Sequence, residues 1–205
     1  MSDPAEPTRP PLVLASSSPR RVELLALLGL EFEARSADID ETPLANEGPE
    51  ALLLRLAEQK ATTVAALIDH PAIVIGADTI VVCDGEILGK PVDDADASAM
   101  LRRLSGRAHT ASTGVAVVGI DGTVCAEVAT TRVVMHEISE ADIAWYLSTG
   151  EPFDKAGSYA LQGHGGLFVA SIEGSMHNVV GLPLDVTRRL LANAGVSLAA
   201  PVDRR

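Results

Sequence analysis

Aromatic residues make up only 3% of this 205-residue chain. Leucine, valine, isoleucine and alanine must therefore do the packing, and there is no aromatic platform on which single-stranded nucleic acid could stack. Cysteine is scarcer still. Cys83 and Cys125 stand far apart and outside any metal-ligand spacing, so neither a disulfide framework nor a zinc site is indicated, and a reducing cytoplasm fits. Positive charge is in deficit, with 16 basic against 28 acidic residues and a net charge of -12. That balance repels nucleic acid and anionic membranes and argues against both as partners. An anionic small molecule can still bind where a few basic side chains cluster and a divalent cation offsets the remaining charge, magnesium being the natural ion. No apolar run reaches the length needed to cross a bilayer, and the opening MSDPAEPTRPP, with four prolines and no apolar core, does not read as a secretory signal. The five histidines form no HxxxH or HxH pair, no GxSxG elbow presents a serine, and no internal repeat is visible.

What is present, 47% hydrophobic residues, suffices for a core in one large domain or two small lobes sharing a sheet. The stretch that organises the rest is Leu12 to Arg21, LVLASSSPRR, which reads as strand, polar turn and a helix opened by Pro19. Hydroxyls of Ser16, Ser17 and Ser18, free N–H groups of the first helical turn, and Arg20 with Arg21 then converge on a volume suited to a phosphate. The plainer alternative is an ordinary Ser18 N-cap with both arginines solvated.

Arg21 to Leu28 predicts a core-facing helix closed by Gly29, and a strand is expected near Phe32 to Ala37, followed by an acidic turn through Asp40 and Glu41. Pro49 starts a long helix whose apolar stripe holds Leu53, Leu56, Val64 and Leu67. Lys60 falls inside that stripe, where a solvated lysine does not belong unless its stem snorkels outward. Ala72 to Cys83 is apolar on both faces and reads as a central strand, with Asp78 in its middle. A carboxylate there needs a cation, several donors or a proton to offset its burial, and Gly76 beside Ala77 leaves room for a ligand or another backbone. Asp84-Gly85 signals a hairpin. GEILGKP imitates a Walker A loop but is one spacer short and carries a proline where the magnesium-binding hydroxyl belongs, which leaves Lys90 as a candidate phosphate contact.

A helix is expected over Asp93 to Leu104, then a hairpin of Ala111 to Ile120 and Thr123 to His136 about Asp121-Gly122. Ser139 and Asp142 form a capping box for a helix through Trp145, which reads as core. Glu151 to Gly166 fits neither period and predicts a loop system, in which Asp154 and Lys155 join a polar network and Gln162 is suited to an amide edge such as a nucleobase. A short strand, Leu167 to Ile172, and a last helix after Gly181-Leu182-Pro183 close the chain.

LASSSPRR, Asp40-Glu41, RLAEQKA, GADTIVV, GKP, LSGRAHTASTGV, GEPFDKAGSYALQG and NVVGLPL, in this order, resemble the Maf family of nucleoside triphosphate pyrophosphatases from Leu12 to about Leu191. The resemblance implies an α/β, inosine-triphosphatase-like fold, two lobes around a long curved mixed β-sheet flanked by helices. It implies one catalytic domain over 11–198, and the composition of the two ends predicts disordered tails at 1–10 and 199–205. Family members use a divalent cation, here magnesium or manganese, and are commonly dimers, so a cytoplasmic homodimer acting on a small nucleotide is expected. By the same resemblance Asp78 is the general base, Glu41 and Asp78 are metal carboxylates, and Ser16, Ser18, Arg20, Lys60 and Lys90 cradle phosphate beside Arg21 and Lys155. Arg20, Thr79 and Gln162 match the positions that set base preference in the dTTP and UTP branch. Departures occur at Ser158, Ala160 and Met176 and touch base selectivity more than chemistry. The competing reading is a nucleotide-sensing protein that acts on septum formation with little turnover.

Overall fold

The computed structural model describes residues 10–198, so the two expected tails lie outside it except for Pro10. In chain order the elements are β1 (Leu12–Leu14), α1 (Pro19–Ala26), β2 (Glu33–Ala34), α2 (Pro49–Ala66), β3 (Ile73–Cys83), β4 (Glu86–Leu88), α3 (Asp94–Leu104), β5 (Ala108–Val118) and β6 (Val124–Met135). They continue with α4 (Glu140–Ser148), three short 3-10 turns over 151–168, β7 (Val169–Glu173), α5 (Met176–Val180) and α6 (Leu184–Asn193). One sheet runs in the order β2-β1-β3-β5-β6-β7, with β4 paired to β3. β1 is parallel to both β2 and β3, and every other pairing is antiparallel, which gives the mixed α/β sheet that was expected.

Alternation along β3 divides the core. Val74, Gly76, Asp78 and Ile80 share one face, and Ile75, Ala77, Thr79 and Val81 the other. α2 covers the first face: Ala57, Ala61 and Val64 pack on Val74, Ala116 and Val118, and Leu52, Leu53 and Leu56 pack on Ile80. Leu24 and Leu25 of α1 and Val186, Leu190 and Leu191 of α6 cover the second face near Ile73 and Ile75. Farther along that face, α3 and α4 close over Val81, Cys83 and Ala111.

Two positions of the sheet under α2, Gly76 and Gly114, carry no side chain, and there the helix backbone comes close. A Cβ on Gly76 would overlap the Ala57 carbonyl and stand 2.7 Å from Ala61 N, and one on Gly114 would stand 2.5 Å from the Leu53 carbonyl oxygen. Gly114 is the register partner of Asp78, so two glycines flank the carboxylate on the face that α2 presses. The room expected beside Ala77 is filled by a helix backbone, and this close approach brings Lys60 down to β3.

Several expectations are corrected. Trp145 is 43% exposed rather than core, because the inward positions of α4 are taken by Ile143 and Tyr146. Leu67 is 71% exposed, since it is the C-cap of α2 and lies past the buried stripe. The strand expected over 32–37 is only the two residues of β2, whose side chains are both exposed. α5 was not foreseen, five residues being too few to show a helical period. The expected capping box of Ser139 and Asp142 is present. Among the described residues no helix is long and apolar enough to cross a membrane.

Candidate active site

Lys60 and Asp78 are 7% and 8% exposed and meet across the α2–β3 contact, Lys60 Nζ lying 2.5 Å from Asp78 Oδ1. The same ammonium lies 2.6 Å from Glu41 Oε1, so two carboxylates from different segments share one buried cation. This answers what offsets a carboxylate in a central strand. Asp78 Oδ2 accepts no hydrogen bond among the described residues and is the carboxylate's free oxygen. Burial pushes the half-exposed Glu41 carboxyl up, but the Lys60 hydrogen bond and charge, with Lys90 and Arg21 nearby, outweigh it and hold the group below its ordinary value.

On the opposite face of β3 the hydroxyls form a directed chain. Thr113 Oγ1 donates to the Asn178 carbonyl at 3.0 Å, so its one proton is used and Thr79 must donate to it at 2.9 Å. Thr79 Oγ1 in turn accepts from Arg21 Nη2 at 3.1 Å, and Arg21 Nε donates to the Gly181 carbonyl at 2.9 Å. Arg21 thus ties α1 to β3 and to the turn before α6. Burial lowers its pKa, partly offset by Asp78 and Glu41.

The first turn of α1 behaves less simply than an N-cap motif. Ser18 makes no side-chain cap, and instead Ser16 Oγ accepts from Ser18 N at 3.2 Å. The N–H groups of Arg20 and Arg21 therefore stay free of intrahelical acceptors. Arg20 pairs with Asp154 at 3.1 Å, and Asp154 also pairs with Lys155, whose Nζ donates to the Glu151 carbonyl at 2.7 Å. Gly157 N donates to the Gly89 carbonyl at 3.0 Å and moors the Lys90 loop beside that network. Lys90 is exposed and has neither ion pair nor hydrogen bond among the described residues.

These groups line one cleft of about 630 Å³, and every site residue expected from the sequence borders it, including Gln162, whose exposed amide has no partner among the described residues. Five cations (Arg20, Arg21, Lys60, Lys90 and Lys155) and three carboxylates (Glu41, Asp78 and Asp154) line it, a local charge of +2 in a chain of -12. The cleft therefore attracts anions although the molecule as a whole repels them. Two arrangements were not foreseen. Lys60 is engaged by carboxylates rather than open to phosphate, and the Thr79 hydroxyl is committed within the protein. Glu151 was also missed: its partners lie from five residues behind to 14 residues ahead, and the run of glycines after Gln162 was the one local sign of close packing there.

A family model described as Maf-like protein matches residues 11–194. The chain belongs to the Maf family. Its relatives include the dTTP/UTP pyrophosphatase of Myxococcus xanthus, 53% identical over 188 residues that cover 91% of this chain and 94% of that protein. The dTTP/UTP pyrophosphatase of Shewanella oneidensis is 53% identical over 193 residues, covering 90% of this chain and 98% of that protein. A solved structure of the Ham1 protein of Staphylococcus aureus aligns with 89% of this chain and 98% of that chain at 14% identity and a TM-score of 0.49.

In this Maf protein no group of three or more His, Cys, Asp or Glu side chains is gathered to hold a metal, among the described residues. The two carboxylates around Lys60 nevertheless suit magnesium, which is bound through one or two carboxylates and takes its other ligands from water and phosphate oxygens.

Proposed function

We propose that this Maf protein hydrolyses nucleoside triphosphates to the nucleoside monophosphate and pyrophosphate, with dTTP and UTP preferred. The observation that carries the reading is a buried Asp78 with one free oxygen at the floor of a cationic cleft. The triphosphate lies against Lys90, Lys155, Arg20 and the free N–H groups of α1, which favour charge growing on the leaving pyrophosphate. Asp78 Oδ2 takes the proton of a water directed at the α-phosphorus, while Lys60 holds Oδ1 and fixes the carboxylate's orientation. Glu41 and Asp78 would hold the divalent cation, magnesium or manganese, which supplies charge to offset the phosphates. Gln162 presents both a donor and an acceptor to the uracil or thymine edge, and Thr79 and Arg20 bound the same space.

The working unit is proposed as one catalytic domain over 11–198 with two lobes, assembled as a homodimer in the cytoplasm, in keeping with the family resemblance. Purified protein is given magnesium and a panel of UTP, dTTP, CTP, ATP and GTP, and pyrophosphate and orthophosphate are measured. Pyrophosphate release that is fastest from UTP and dTTP is expected. Binding without release from any triphosphate would favour a sensor instead.

A further inference from the structure

We propose that Glu151 is a positioning residue for base selection, its carboxylate together with the Tyr146 hydroxyl clamping the chain on both sides of Gln162. The inference rests on the base-reading role given to Gln162 above. Glu151 Oε1 accepts from Tyr146 Oη at 2.8 Å and from Gly165 N at 3.0 Å. Glu151 Oε2 accepts from His164 N at 3.0 Å and lies 3.1 Å from His164 Nδ1. Tyr146 Oη in turn accepts from Ala160 N at 3.1 Å. Ala160 is thus held on one side of Leu161-Gln162-Gly163 and His164 and Gly165 on the other, while the Gln162 side chain borders the cleft with no partner among the described residues.

Only a carboxylate satisfies this arrangement. Each Glu151 oxygen accepts from a backbone N–H, Oε1 from Gly165 and Oε2 from His164, so an amide would set its own NH2 against one of these fixed donors. The loop is also shaped to the clamp. A Cβ on Gly163 would overlap the Glu151 carboxylate, and one on Gly165 would stand 2.6 Å from Tyr146 Oη. Burial pushes the Glu151 carboxyl up, yet the Gly165, Tyr146 and His164 hydrogen bonds prevail and keep it below its ordinary value, hence ionised at neutral pH. Trp145, which is not in the core, stacks edge-on against the His164 ring at a centroid distance of 5.5 Å and braces the same loop from outside. A side-chain amide held at a fixed height reads a base edge, whereas one on a loose loop binds any base weakly.

The test is the ratio of kcat/KM for UTP to that for ATP in wild type, Gln162→Leu, Glu151→Gln, Tyr146→Phe and the double variant Glu151→Gln/Gln162→Leu. Gln162→Leu and Glu151→Gln should each lower the ratio roughly tenfold or more, by losing UTP activity far more than ATP activity. The double variant should lose little beyond either single one. Tyr146→Phe keeps the ring in the core and should give an intermediate ratio, so the clamp is still read if Glu151→Gln does not fold. Equal losses on both nucleotides in Glu151→Gln and Tyr146→Phe would overturn the clamp and mark a general structural role. A collapsed ratio in Gln162→Leu with an unchanged one in Glu151→Gln would overturn the clamp alone. An unchanged ratio in Gln162→Leu would overturn the base-reading role, and the clamp's purpose with it.

Discussion

Replacing Lys60 with methionine keeps the side-chain stem and deletes the charge that sits between Glu41 and Asp78. Glu41 is half-exposed and can turn to water, so its share of the loss is near zero. Asp78 cannot turn, since β3 holds it under α2 at 8% exposure. Stranding one buried charge in this way costs about 3 kcal/mol, the low end of what one-sided removal of a buried pair costs. For a chain of this length that lowers Tm by roughly 6–12 °C. The deficit should be partly recovered by magnesium, because a divalent cation can occupy the place the ammonium left. Saturation at a hundred times Kd contributes about 2.7 kcal/mol. Thermal unfolding of wild type and Lys60→Met is followed in magnesium chloride and in potassium chloride of equal ionic strength. A larger magnesium-specific rise in Lys60→Met than in wild type is expected. A Tm equal to wild type, or the same response to both salts, would refute the shared-cation account of Glu41, Lys60 and Asp78.

Asp78→Asn should lower pyrophosphate release about 10²–10⁴-fold while a fluorescent triphosphate still binds, and turnover near the wild-type rate would remove Asp78 as the base. Gly76→Ala drives a methyl group into the Ala57 carbonyl, so the α2 backbone must lift; a loss of about 1–3 kcal/mol in urea unfolding is expected together with lost turnover, and full activity would show that close approach is not needed. His109 is buried and its pKa is lowered to about 4, so the folded protein keeps it neutral while the unfolded chain protonates it near 6.5. Stability is then full above about pH 6.5 and falls as pH drops toward 4, by up to about 3 kcal/mol, levelling off below. His109→Gln, which can still meet Tyr159 Oη, should flatten that part of a Tm-against-pH curve.

Lys60 and Asp78 were readable from the sequence because each is a charge at a position whose neighbours are apolar at the local period. A buried charge must have a partner, and each turned out to be the other's. Glu41 offered no such contradiction: it sits in an exposed acidic turn, and only the family resemblance raised it. The long elements were similarly readable, since the eighteen residues of α2 show a helical stripe and the eleven of β3 form a β-rich run apolar on both faces. α5 and β2 are too short to do so. Trp145 was misplaced because size and apolarity predict burial on average, whereas it packs edge-on against the His164 ring at the surface. Glu151 could not be found from spacing alone. Its meaning arises when the turns of 151–168 fold it under Gly163 and His164, a contact that no period encodes.

The central claim is water attack at the α-phosphorus, and the most direct measurement is where the water's oxygen goes. UTP is hydrolysed in ¹⁸O-labelled water with magnesium, and the products are separated and weighed by mass spectrometry. The account predicts one labelled oxygen in UMP and none in pyrophosphate. Label in pyrophosphate, or UDP with labelled orthophosphate as the products, would contradict it.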